Sequence, residues 1–440
     1  MSAPTLDRRS GTRSPRPARR ARHPLLAEVR RGPARWIALA ALAVDALQMV
    51  KATDSWQGGW AQTQHQLHMF AVLVLSPFAA ATGCWAGARE HRSHVAELRA
   101  CGTRSRLAQF LVAAVPVAFA VVVGHAVTTA GSLLASWPYT SGGRPLFGPI
   151  AADLVFLASA AFIGAVVGGL APGRLTAPAL GIGLYLLLGC PTDSDSPARF
   201  LSPAVGEGYY QMVPVWWQSP AMMLWAGGLA TAAVLVRTLP RRWSWSAVVP
   251  LALAVVGAVP IARAGEDMWH QSPWARTSVC DDSKPKVCVR GDQKDLLPQV
   301  SAALSGVIGR LEGVRHLPDF GTMGFMIGQD VVRGELTDPQ RFVWEFTATL
   351  VVPECDPPLD GYVHEAVRDW LVSNELAESR RTLQAKRAYK DHDEKAIAYN
   401  RAWARGITRL AAMDDDTRRA WLSRYFKAVG SCDAEGVPAL

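Results

Sequence analysis

Three ionisable side chains interrupt runs of otherwise apolar residues: Asp45, His125 and Asp153. A carboxyl or imidazole held in hydrocarbon costs roughly 2.5–3.5 kcal/mol on the insertion scale, so such groups face a bundle interior or a wet cavity. Their chemistry there is proton exchange, lining of a pathway, or hydrogen bonding that ties one helix to the next. Asp153 sits near the outer end of its run, in an interfacial position. His65 and His68 are spaced three apart on one helical face, but no acidic or thiol residue is near them in sequence, and they read as interfacial histidines rather than metal ligands.

Other chemistries are excluded by spacing. His364-Glu365 begins like a zinc-peptidase helix, but Arg368 stands where the second histidine ligand must be. The nucleophile elbow Gly-x-Ser-x-Gly is absent, and so is any Gly-Lys dipeptide, without which a phosphate-binding loop cannot form. Arg290-Gly291-Asp292 matches an adhesion tripeptide in what reads as an ordinary turn. The expectation is a protein that is not an enzyme, needs no cofactor or metal, and must borrow any ATP hydrolysis from a partner.

The elements that position these residues are readable from hydropathy. Residues 1–33 are rich in Arg, Pro and Ser and form a basic tail too polar to fold. Seven apolar segments follow, near 34–50, 69–87, 110–135, 149–171, 175–190, 219–236 and 246–262, judged against the ~20 residues needed to span hydrocarbon. With the N-terminus inside, segments 1–35, 88–108, 172–176 and 237–245 carry nineteen Arg or Lys, against three in 51–68, 136–148 and 191–218. An odd number of spans then places 263–440 outside the cell membrane. The net charge of +9 is carried by the membrane half, while 263–440 is slightly acidic, so the basic balance points to lipid and topology rather than nucleic acid.

Cysteines agree with that orientation. Cys280, Cys288, Cys355 and Cys432 all follow the last span, an even set expected as two disulfides. Of the three pairings, Cys280–Cys288 and Cys355–Cys432 close the simplest loops. Within this region Lys286–Arg290 reads as a strand, 296–312 as an amphipathic helix with Pro298 in its first turn, and 362–381, 383–410 and 417–429 as helices. Phe342–Val352 fits either a strand or a buried helix. The fold class is thus a polytopic α-helical membrane domain, 34–262, with a helix-rich α+β domain appended at 263–440.

The 88–108 loop, AREHRSHVAELRACGTRSRLA, reads as a short amphipathic helix followed by a Gly-Thr break and a basic exit. With that loop between the second and third spans, the layout of 34–240 resembles permease subunits of exporter-type ABC transporters. In that family a cytoplasmic helix at this place docks onto a separate ATPase. The resemblance implies a docking surface formed by Glu90, Arg92, Val95, Glu97, Leu98 and Arg99, a partner ATPase, and a homo- or heterodimer of permease subunits. It also implies a longer outer loop between the fifth and sixth spans, here 191–218 with Tyr209, Tyr210, Trp216 and Trp217. The seventh span and the appended domain depart from the six-span family core and look like actinobacterial permease-like proteins with an extracytoplasmic domain. The alternative is a membrane-anchored sensory or ligand-binding protein whose outer domain does the recognition. A membrane enzyme acting on lipid or cell-wall precursors is the weakest of the three readings.

Overall fold

The computed structural model describes residues 32–89, 105–190, 196–205, 212–318, 331–351, 355 and 361–440. Glu90, Arg92, Val95, Glu97, Leu98 and Arg99, expected to form a docking surface, lie outside the described residues, as do residues 1–31 of the basic tail, Cys101, Tyr209 and Tyr210.

The chain is a helical membrane protein. Five helical stretches are long and apolar enough to cross a bilayer: Trp60–Gly87, Arg106–Tyr139, Phe147–Leu170, Gln218–Thr238 and Arg241–Met268. Two further apolar helices pack with them. We number the bundle α1 (Ala34–Lys51), α2 (Trp60–Gly87), α3 (Arg106–Ser136), α4 (Phe147–Leu170), α5 (Thr176–Gly189), α6 (Gln218–Thr238) and α7 (Val248–Ala264). Helix α1 carries Arg35, Asp45 and Lys51, and α5 has only 14 residues.

What holds the bundle is backbone proximity more than bulk. Apolar side chains gain little by leaving lipid for one another, so close packing through small residues carries the association. Helices α2 and α4 each contain a Gly-x-x-x-Gly, Gly83/Gly87 and Gly164/Gly168. A Cβ built on any of the four would lie 2.0–2.1 Å from a carbonyl oxygen of the facing helix, belonging to Ala161, Ala165, Ala80 or Cys84. The same device recurs where a Cβ on Gly257 would lie 2.4 Å from Ala221 O and one on Gly124 2.9 Å from the Ala41 Cβ. Core residues such as Ala41, Ala71, Val121 and Leu157 are fully buried between these contacts.

The second span begins nine residues before the apolar run does, at Trp60 rather than 69. Its first turns are polar, yet Gln62, Thr63 and Gln64 are buried. They are satisfied inside: Gln64 exchanges two hydrogen bonds of 2.9 Å with the Leu146 backbone, and Thr63 Oγ1 lies 2.6 Å from Ser136 Oγ. One turn further on, Ala71–Leu75 is a π-helical segment, a widening that reorients the residues before it relative to those after.

Beyond α7 the chain builds a second hydrophobic core, made wholly of residues from Val287 to Leu440. Three two-stranded antiparallel ribbons appear, β1 (Met212–Pro214) with β2 (Trp269–Gln271), β3 (Ser278–Cys280) with β4 (Cys288–Arg290), and β5 (Val331–Val332) with β6 (Glu335–Leu336). The helices are α8 (Leu297–Leu311), α9 (Pro339–Val351), α10 (Tyr362–Val372), α11 (Glu375–Lys390), α12 (Glu394–Ala412) and α13 (Asp415–Gly430). The expected amphipathic helix is α8, with Val300, Leu304, Val307 and Leu311 inward. The ambiguous segment is helix α9, because Phe342, Phe346 and Leu350 recur every fourth residue and all face the core. The expected helix 362–381 breaks at Ser373, which adopts φ 40°, and Asn374 then caps α11 by accepting from Ala377 N. Disulfides join Cys280 to Cys288 and Cys355 to Cys432.

Among the described residues, Asp369 is a buried carboxylate with neither oxygen hydrogen-bonded, and Arg368 and Arg381 stand off at 3.7 and 3.8 Å. Burial pushes its carboxyl up to about 6, against the pull of the two guanidiniums. A raised carboxyl pKa means the folded state holds the proton longer than the unfolded chain, so stability falls as pH rises from about 4 to 6. Asp369→Asn should therefore be the more stable protein at pH 7, by roughly 3 kcal/mol at most, and should converge with wild type near pH 4. Thermal melts of the two proteins across that range check this; parallel pH curves would contradict it.

Candidate bundle-interior and loop-cavity site

The three ionisable residues picked out by sequence do not stand alone. Asp45 on α1 meets His125 on α3, with Oδ2 2.7 Å from Nδ1 and both side chains 1% exposed. Thr129, one turn along α3, places its hydroxyl 3.4 Å from His125 Nε2. The simplest proton placement has Nδ1–H donating to the carboxylate and Nε2 accepting from Thr129. Asp45 Oδ1 is buried without a hydrogen-bond partner.

The second pair corrects one expectation: His68, which has no acidic residue near it in sequence, has one in space. His68 Nδ1 lies 2.7 Å from Asp153 Oδ1, within the bundle, because the α2–α4 contact brings the two helices together. His68 Nε2 lies 2.8 Å from Pro203 O. A carbonyl only accepts, so Nε2 must carry a proton. The Nδ1···Oδ1 contact then needs one more proton, on either the ring or the carboxyl. Either way the pair is neutral overall and shares that proton, which is how two titratable groups are tolerated at this depth. Beside it lies a cavity of about 40 Å³ lined by His65, Trp225 and Trp269 among others, polar enough for about two or three waters.

A larger cavity, about 640 Å³, lies where the α1–α2, α3–α4 and α5–α6 connections meet the first residues after α7. Trp60, Arg144, Trp216, Trp274, Asp292 and Gln293 are among its walls. The loops there interlock with the C-terminal region. Arg333 donates from its backbone N to Gln57 O at 2.6 Å and from Nε to Gln57 Oε1 at 2.7 Å. A Cβ on Gly142 would lie 2.9 Å from Gly291 O, and one on Gly58 2.7 Å from Val331 O. The Arg290-Gly291-Asp292 tripeptide is folded onto itself, Arg290 forking onto both Asp292 oxygens at 2.9 Å.

In the C-terminal core, His364 is committed to packing. The Tyr425 hydroxyl donates to Val351 O at 3.1 Å, so His364 Nδ1–H donates to the Tyr425 oxygen at 2.6 Å. Arg368, where a second metal ligand would stand, pairs with Glu365. Among the described residues no group of three or more His, Cys, Asp or Glu has a metal-holding arrangement. No protein-family model, curated protein or solved structure matches this chain.

Proposed function

We propose that this chain is the membrane subunit of an export system, energised by a separate cytoplasmic ATPase, with seven spans, its N-terminus inside and residues 263–440 outside. The observation that carries the reading is the opposition of two ends. Arg89 and Arg106, which bracket the 90–104 segment, follow α2 and open α3, while the 640 Å³ cavity lies at the other end of the same helices. An export subunit needs this polarity: a surface for the motor on the charged side and a chamber on the release side. The packing of α1 and α5 into the bundle supports counting them as spans, and the nineteen-to-three bias in loop charge supports the orientation. Two disulfides after α7 support an oxidising location for the C-terminal region. The His–Asp pairs give the bundle polar joints that can be broken and remade as helices shift.

The second reading, a sensory or ligand-binding membrane protein, draws on the cavity itself, which is walled partly by the C-terminal region. Orientation tests the frame that the export reading requires. A reporter active only in the cytoplasm is expected to be silent when fused after Leu440 and active when inserted within 90–104. Activity at Leu440 would overturn the seven-span arrangement.

A further inference from the structure

We propose that the 640 Å³ cavity binds a saccharide unit, either free or as the glycosyl part of a larger molecule. Its volume falls in the range of small-molecule sites, which are concave, partly apolar and equipped with a few convergent polar groups. Flat apolar surface comes from three indoles. Trp60 and Trp274 flank a single residue, Gly143: a Cβ there would lie 3.9 and 3.7 Å from their Cδ1 atoms. The third, Trp216, is 86% exposed in the wall. An indole face matches the C–H face of a pyranose ring, while the ring's rim of hydroxyls needs planar groups that both donate and accept.

That second requirement is met by Gln293. The residue is 4% exposed, and neither its amide nitrogen nor its amide oxygen has a hydrogen-bond partner among the described residues. Buried polar groups are rarely left so, since each unmade bond is costly. A carboxamide offers two donors and two acceptor lone pairs side by side, the complement of vicinal hydroxyls. Asp292 is held by the Arg290 fork, but each carboxylate oxygen keeps capacity for a further donor. Arg144 adds donors of the opposite sign, so the walls carry both charges and do not form an anion clamp. An acyl chain is a poor match, because among the described residues lining the cavity only Leu146, Val213 and Val215 are branched aliphatics.

The test uses the full-length protein in zwitterionic lipid nanodiscs, away from glycoside detergents that would compete. Tryptophan fluorescence is followed during titration with glucose, N-acetylglucosamine, maltose, chitobiose and trehalose, and with glycerol 3-phosphate as a lipid-headgroup probe. At least one saccharide is expected to give a saturable change. Gln293→Leu should weaken it tenfold or more while leaving the melting temperature equal or higher, since the unpartnered amide is gone. Trp274→Ala, at a half-exposed position, should weaken it as well and guards against a folding defect in the first variant. No saturable response to any sugar, a response unchanged in both variants, or saturation by glycerol 3-phosphate instead would overturn the proposal. No ATPase takes part, so this outcome and that of the export reading are independent.

Discussion

Asp45→Leu is expected to destabilise the bundle by about 3–5 kcal/mol, and the double variant Asp45→Leu/His125→Leu to recover most of that loss. The singles are costly because the remaining partner stays buried between α1 and α3, 1% exposed, deprived of its 2.7 Å contact. Removing both partners removes the unmet demand and leaves apolar residues in an apolar place. Thermal unfolding of the detergent-solubilised protein, read by dispersity on a sizing column, gives the three values needed. A double variant as unstable as the worse single would mean that the pair is not the unit that matters.

The second large effect is steric. Gly164→Leu and Gly83→Leu should each abolish the folded monodisperse species, because the α2–α4 backbones already stand where a Cβ would be, 2.1 Å from a carbonyl oxygen. No rotamer relieves a clash at Cβ itself, so the helices must separate, and overpacking penalties of roughly 1–3 kcal/mol are a lower bound. Separation would also pull His68 from Asp153, since one sits on each helix. Gly183→Leu on α5 is the control: its Cβ meets nothing within 4 Å, and folding should be unaffected. Equal yields of all three variants in a fluorescence-detected sizing assay would contradict the close-packed interface.

Much of the architecture was legible because membrane spans announce themselves by composition alone. The cysteines were legible for a related reason, as all four bonded residues fall after the last apolar run. The start of α2 was not, because a hydropathy threshold sees Gln62, Thr63 and Gln64 as loop, whereas the helix continues by turning them onto Leu146 and Ser136. The His68–Asp153 pair was invisible for a different reason. Its members are 85 residues apart on different helices, and nothing local in sequence records which faces will meet. The signal that was available was the pair of Gly-x-x-x-Gly repeats, which mark the α2 and α4 faces that approach and so place His68 and Asp153 on neighbouring elements. The break at Ser373 was hidden because a left-handed residue other than glycine carries no compositional flag.

Coupling to an ATPase is the claim on which the function rests. Docking needs an apolar ridge to bury and charges around it to set register. On the proposed reading, Val95 and Leu98 of 88–108 would supply the ridge, and Glu90, Arg92, Glu97 and Arg99 the rim. Affinity capture of the full-length protein from its native membranes, wild type beside Leu98→Asp, tests this directly. The expected result is a P-loop ATPase without membrane spans recovered with the wild type and lost by tenfold or more with Leu98→Asp, while both chains insert equally. Recovery of no such ATPase with the wild type, or equal recovery with both, would contradict it.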